Sequence, residues 1–321
     1  MLFADAASGP SKAATAVRTG KSAEDAAKDA GIVISAVTAA QTLNAYVIYV
    51  ALPALILVQI PKVPLNSAVV VPVLFAWLIM SVSAAITWMC ARTLRWPAAI
   101  TGALLLVTVL GNTTFIGLPL IEAHLGPQAL PYAILYDQLG TFLAFNTVGI
   151  AIASHYSQIA NSTPTGETIK QDPLWKKIVT FPSFGALFVG FTLNFIAVPV
   201  YVEEVLQRLA ATLVPVVMVA VGLQWKLRID RTEYPFILFA LIFILLIKPL
   251  FALLLLLPLN INPLIARTIV LEAAMPAMIS TGALALMYHL APRLVSTIIG
   301  YSLMLAFLTV WLWKLVVMQW I

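Results

Sequence analysis

The sequence predicts an all-α protein that crosses a membrane many times. Three observations carry this expectation. Hydrophobic residues make up 62% of the 321-residue chain and charged residues only 10%, with a mean hydropathy of +1.00; a soluble domain carries about a quarter charged residues. Several stretches of about 20 residues are nearly free of charge, the length that crosses about 30 Å of hydrocarbon as a helix. The apolar runs are also continuous, whereas a membrane barrel alternates polar and apolar residues in segments of about 10. An open sheet is excluded because lipid cannot satisfy its edges.

Residues 1–38 are rich in Ala, Ser, Lys and Asp and read as a polar tail, with a short surface helix expected near Ser22 to Asp29. Asp5 comes early and no apolar run follows the start, so no signal peptide is expected. Nine apolar segments follow, at 40–60, 66–91, 98–126, 129–154, 181–200, 203–223, 234–257, 264–290 and 292–318. The first carries Pro53, and the second ends at Arg92 and Arg95. The third is interrupted by Gly111-Asn112-Thr113-Thr114, and the fourth carries Asp137. The polar loop 155–180 then divides the chain into a first unit, 39–154, with four helices, and a second, 181–321, with five. In the second unit Lys248-Pro249 lies inside the seventh segment and Pro276 inside the eighth.

The third and eighth segments repeat each other roughly 165 residues apart. GNTTFIGLPLIEAHLGPQAL starts at Gly111 and PAMISTGALALMYHLAPRLV at Pro276. His124-Leu125-Gly126-Pro127 falls on His289-Leu290-Ala291-Pro292, and Tyr136 and Phe142 fall on Tyr301 and Phe307. Paired broken helices in corresponding halves mark the binding site of a secondary transporter. With each broken helix as the fourth member of a five-helix unit, the first unit lacks its first helix. An odd number of helices per unit inverts the second unit. The expected fold is therefore an inverted-repeat transporter whose two broken helices cross.

Orientation follows from the distribution of cations. The tail and the loops after the second, fourth, sixth and eighth helices hold Lys12, Arg18, Lys21, Lys28, Arg92, Arg95, Lys170, Lys176, Lys177, Lys226, Arg228, Arg231 and Arg293. The other side holds Lys62, Arg208, Arg267 and Lys314. The N-terminus and the 155–180 loop are expected in the cytoplasm and the C-terminus outside. The net charge of +5 is the ordinary cytoplasmic excess of Lys and Arg and points to no nucleic acid. The single cysteine, Cys90, leaves no disulfide framework and no cysteine metal cluster.

At these residues the chain resembles the auxin efflux carrier family, of the bile acid/sodium symporter-like superfamily, whose best-known members are the plant PIN carriers. The pattern N-x-x-F-x-G-x-P followed by a Gly stands here as Asn112, Phe115, Gly117, Pro119 and Gly126. LNAYVIYVALPALIL, from Leu43, is similar to the family's second helix, and Ala273 through Trp313, with Ala274-Met275-Pro276, to its C-terminal pair. The resemblance covers about 40–318. It implies ten helices, the first of which has no counterpart in the polar residues 1–38, so nine are expected. The short central loop is similar to the bacterial branch, which is thought to carry dicarboxylates such as malonate and malate across the inner (plasma) membrane. The resemblance also makes Asn112 the substrate-binding asparagine.

Read from the residues themselves, Gly111 and Asn112 break a helix because Gly costs about 1 kcal/mol relative to Ala and Asn and Thr compete for backbone hydrogen bonds. Pro276 removes a donor at the matching depth. The half-helix N-termini then attract an anion, with Gly111, Asn112, Thr113, Pro276, Ser280 and Thr281 as candidate substrate-binding residues. The alternative is a kink that only lets helices pack closely. Asp137, Glu272, Lys248 and Glu122 are intramembrane charges and candidates for coupling to H⁺ or Na⁺. The alternatives are that Lys248 neutralises Glu272 or Asp137, and that Glu122 is interfacial. His124 and His289 read as a proton relay or as interfacial residues, and Trp77, Trp88, Trp96, Trp175, Trp311, Trp313 and Trp320 as interface belts. Met275, Met278 and Met287 read as packing.

The leading function is secondary transport of a small organic anion, a mono- or dicarboxylate or an auxin-like acid, with no cofactor beyond the coupling ion and with a homodimer as a candidate assembly. No enzyme activity is expected. There is no Walker motif and no HExxH, and Asp137 is the one deeply placed aspartate. The competing readings are a non-transporting receptor, regulatory subunit or inactive remnant lacking the first helix, an intramembrane hydrolase, and a passive channel.

Overall fold

The computed structural model describes residues 38–39, 41–62, 69–160, 182–196, 198–223 and 233–321. The expected tail, most of the 155–180 loop and most of the cations that set the orientation lie outside these residues. The described chain is helical almost throughout, and each of the nine expected segments has a helical counterpart.

Helix α1 runs Gln41–Lys62 and α2 Val70–Thr93. Helix α3, Ala98–Val109, ends at the first interruption. A π-helical turn, Thr113–Gly117, leads into α4, Leu118–Leu125. Next come α5, Leu130–Leu135, a π-helical stretch Tyr136–Phe142, and α6, Ile150–Ala160. The second half holds α7, Pro182–Leu193, α8, Val200–Ala211, and α9, Leu213–Leu223. Helix α10, Tyr234–Ile242, passes through a π turn, Phe243–Ile247, into α11, Lys248–Leu256. Finally come α12, Pro263–Ala273, α13, Ser280–Met287, and α14, Pro292–Trp320. Gln41–Lys62, Val70–Thr93, Tyr234–Leu256 and Pro292–Trp320 are each long and apolar enough to cross a bilayer unbroken. The fifth expected segment, 181–200, is shorter than expected: its helix ends at Leu193, where the chain turns through Asn194, Phe195 and Ile196.

The elements sort into two bodies by what they pack against. Helix α1 packs on α7, α8 and α9. Tyr46 and Thr212 hydroxyls meet at 2.9 Å, and Asn194 Nδ2 donates to the Pro61 carbonyl at 2.9 Å. The larger body gathers α2–α6 and α10–α14, with α12 packed on α2, α5, α11 and α14. The bodies touch where α1 meets α5 and where α9 meets the Thr113–Gly117 turn. Within the larger body, Gly140 lies so close to α2 that an added Cβ would stand 2.5 Å from Ala76 Cβ.

Prolines set the local shape. The π turns at 47–51, 113–117 and 243–247 each end two residues before a proline: Pro53, Pro119 and Pro249. A proline leaves the carbonyl four residues earlier without its helical donor, and π-bulges frequently accompany functional sites. After Pro249 the freed carbonyl is that of Leu245, which accepts from Trp313 Nε1 at 2.8 Å. Trp313 is therefore an internal hydrogen-bond donor, not a belt residue. Both connections that leave the broken helices turn through positive φ at matching residues, Gly126 at 83° and Ala291 at 41°.

Candidate functional site

The two interruptions meet. Gly111 lies antiparallel to Ala277. Asn112 N–H donates to the Pro276 carbonyl at 2.7 Å, and Met278 N–H to the Leu110 carbonyl at 3.0 Å. Each extended segment thus satisfies the backbone groups that the other exposes, which buried peptide groups require. Ala277 N–H reaches Ser302 Oγ at 3.2 Å and ties the crossing to α14. The helical chain resumes after Asn112 on one side and at Ser280 on the other.

Asn112 caps its half-helix, with Oδ1 accepting from Phe115 N–H at 3.2 Å. Its Nδ2 is buried and has no partner among the described residues. Asp137 lies fully inside the larger body and collects three donors. Thr113 Oγ1 and Thr114 Oγ1 reach Oδ1 at 2.5 and 2.7 Å, and Gln138 Nε2 reaches Oδ2 at 2.7 Å. The carboxylate therefore locks the start of the half-helix to the Tyr136–Phe142 stretch. Glu272, in the last turn of α12, is 1% exposed, and neither carboxyl oxygen has a partner among the described residues. It occupies space that only a glycine leaves open: a Cβ on Gly117 would stand 2.6 Å from Glu272 Oε2.

The remaining candidates are distributed differently. Ser280 lines a cavity beside the crossing. Thr281 is buried, and its hydroxyl donates to the Met278 carbonyl at 2.6 Å, so its proton is used within its own turn. Lys248 is buried but forms no ion pair with Asp137 or Glu272 among the described residues. The ammonium reaches toward Gly111, whereas the Glu272 carboxyl lies against Gly117, further along the same broken helix. Glu122 is exposed on α4, where it borders a second cavity of about 130 Å³ with Gln59 and Gln207, away from the crossing.

The cavity beside the crossing has a volume of about 380 Å³. Its polar edge is Thr114, Gln138, Asn146 and Ser280, and its apolar walls include Tyr49, Phe115, Phe142, Phe145 and Met278. Among the described residues no charged side chain lines it. Asp137 touches it only through the hydrogen bonds that fix Thr114 and Gln138. The sequence reading missed the aromatic walls and the contribution of α1. Pro53, one turn beyond Tyr49, was the available signal.

Comparison with known proteins identifies the kind of protein that carries this crossing. A family profile described as "Membrane transport protein" matches residues 27–314. The chain belongs to that family. This is the auxin efflux carrier family that the two broken helices resemble. An uncharacterized transporter of Methanothermobacter thermautotrophicus is 30% identical over 281 residues, covering 86% of this chain and 89% of that protein. An uncharacterized transporter of Methanocaldococcus jannaschii is 27% identical over 278 residues, covering 85% and 88%. As a membrane transport protein the chain resides in a lipid bilayer and acts on a transported substrate.

Proposed function

We propose that this protein is a secondary active transporter of a small organic anion, working by alternating access around the helix crossing. The observation that carries the proposal is the antiparallel meeting of the two breaks beside a cavity bordered by the first residues of both half-helices, Thr114 and Ser280. Half-helix N-termini attract anionic groups, and a cavity of this size suits a small molecule. The lining, largely apolar and without a charged side chain among the described residues, favours a monocarboxylate with an apolar body over a dicarboxylate. A second carboxylate would lose its hydration and gain no cation. Asn112 does not line the cavity, but its Nδ2, buried without a partner among the described residues, is the donor assigned to the carboxylate. Asp137 and Glu272 are assigned to the coupling ion, Asp137 through its hold on the cavity edge and Glu272 as a buried carboxyl whose oxygens have no partner among the described residues.

In this reading 39–154 and 181–321 are inverted units in the inner membrane, with the N-terminus cytoplasmic, the C-terminus outside and a homodimer as the assembly. The test is uptake of labelled mono- and dicarboxylates into proteoliposomes that contain the purified, folded protein. Saturable uptake is expected, with phenylacetate preferred to malate. Failure to accumulate any acid under H⁺ and Na⁺ gradients would instead favour a receptor or regulatory subunit.

A further inference from the structure

The two cavities are lined by the same two helix faces. On α1, Leu52 borders the 380 Å³ cavity, and Leu55 and Gln59 border the 130 Å³ cavity. On the broken helix, Phe115 borders the first, and Leu118 and Glu122 the second. Each set follows i, i+3 and i+7, the spacing that keeps residues on one face of a helix. Both faces therefore run from the first cavity to the second in the same direction. Between the cavities they are apolar and closed: Leu52 and Leu118 are 1% exposed and Leu55 6%. An ionised acid passing between apolar side chains loses its hydration and gains no partner, so closed leucines bar it. Leu55 belongs to the smaller body and Leu118 to the larger, so relative motion of the bodies parts them. Beyond the leucines the lining turns polar. Gln59 is half-buried, and Glu122 and Gln207 are exposed. Gln207 Nε2 donates to Glu203 Oε1 at 3.1 Å, and Lys62 pairs with Glu203 at 3.6 Å. Lys62 thus answers the charge of Glu203, whereas Glu122 has no ion-pair partner among the described residues.

We propose that the 130 Å³ cavity is the vestibule at the far end of the transport path, shut off from the 380 Å³ cavity by Leu52, Leu55 and Leu118, and that the Glu122 carboxylate disfavours entry of the anion from that end. The proposal rests on the transporter reading, while the field of Glu122 can be measured without transport. A carboxylate at a mouth lowers the local concentration of anions, and salt screens the effect. Glu122 therefore slows capture of the acid at this end and does not hold back its release, which gives the two ends of the path unequal access.

The experiment uses the full chain with Cys90 replaced by Ser and Gln59→Cys as its one thiol. Cationic and anionic water-soluble thiol reagents are compared by their rates of reaction with the folded protein. The ratio of cationic to anionic rate should fall at least threefold when Glu122→Gln is added, and high salt should lower it in the same way while Glu122 is present. Leu55→Cys, within the closed leucines, should react at least tenfold more slowly than Gln59→Cys. In proteoliposomes with labelled phenylacetate, full modification of Gln59→Cys by the anionic reagent should lower uptake at least tenfold. The same reagent at Tyr201→Cys, on an exposed face of α8 that borders neither cavity, should leave uptake normal. The proposal is overturned by a rate ratio that Glu122→Gln does not change, by Leu55→Cys reacting as fast as Gln59→Cys, or by normal uptake after full modification of Gln59→Cys. Any of these results in a protein that transports overturns the vestibule alone. If the unmodified protein takes up no acid, the transporter reading falls and the vestibule falls with it.

Discussion

Asn112 divides its amide between fold and ligand. Oδ1 caps the half-helix at Phe115 N–H, while Nδ2 is buried and unpaired. The two functions separate by substitution. Asn112→Asp retains an acceptor for the cap but loses the donor and sets a negative charge against the anion, so folding should survive while binding is lost. Asn112→Ala should cost about 1 kcal/mol of stability through the lost cap. It should also weaken binding tenfold to a hundredfold, because a hydrogen bond to a charged group contributes about 1.5–3 kcal/mol. Thermal unfolding and equilibrium binding on both variants check this, and unchanged affinity in both would place the anion elsewhere. Asp137 acts on the cavity at one remove. In Asp137→Asn the new amide can still accept from Thr113 and Thr114, but its N–H₂ would face Gln138 Nε2, donor against donor. Gln138 must then turn, and the cavity edge turns with it. The expected result is weaker acid binding together with an altered dependence of uptake on pH. A variant that binds and responds to pH like the wild type would remove Asp137 from the site.

At the scale of elements, prolines relax the helices and other helices catch the freed carbonyls. Trp313 on α14 serves Leu245 in this way. Trp313→Phe keeps the ring but leaves a buried carbonyl unsatisfied, which should cost about 1–3 kcal/mol. Restoring an N–H at residue 249 with Pro249→Ala should make that loss smaller in the double variant, a non-additivity expected of residues that share one acceptor. Denaturation of the four proteins in one detergent tests this, and strict additivity would show that Trp313 does not compensate for the proline. The same elements show what can be read from sequence. The breaks at Gly111 and Pro276 were legible because Gly and Pro act on the backbone whatever surrounds them. Thr114 belongs to the break itself, and Gln138 adjoins the candidate Asp137. The wall supplied by Tyr49 was not legible: a membrane helix is apolar all round, so no amphipathic stripe separates the lipid face from the cavity face. The direction of Lys248 was hidden for a related reason. Depth along a helix fixes how far a charge is from water but not which neighbour it reaches.

At the scale of the whole molecule, the cavity lies where the smaller body of α1 and α7–α9 meets the larger one. Tyr49 belongs to the first body, and Thr114, Gln138 and Ser280 to the second. In the proposed alternating-access cycle, a ligand held between two separately packed bodies would be exposed to one side or the other by sliding one along the other. The hydrogen bonds described at the crossing lie within the larger body, through Ser302 on α14 and through Asp137. That body should therefore move as a unit and carry its half-helix ends with it. Val58 on α1 and Leu130 on α5 border the 130 Å³ cavity between the bodies. The single native cysteine, Cys90, can be replaced by Ser, leaving Val58→Cys and Leu130→Cys as the only thiols. A short cleavable thiol-to-thiol reagent that joins them should reduce uptake at least tenfold while leaving equilibrium binding of the acid within a few-fold. Cleavage should restore flux, and each single-cysteine protein treated with the same reagent should transport normally. A receptor or a passive channel does not need the bodies to slide, so undiminished flux through the cross-linked protein would exclude alternating access between them.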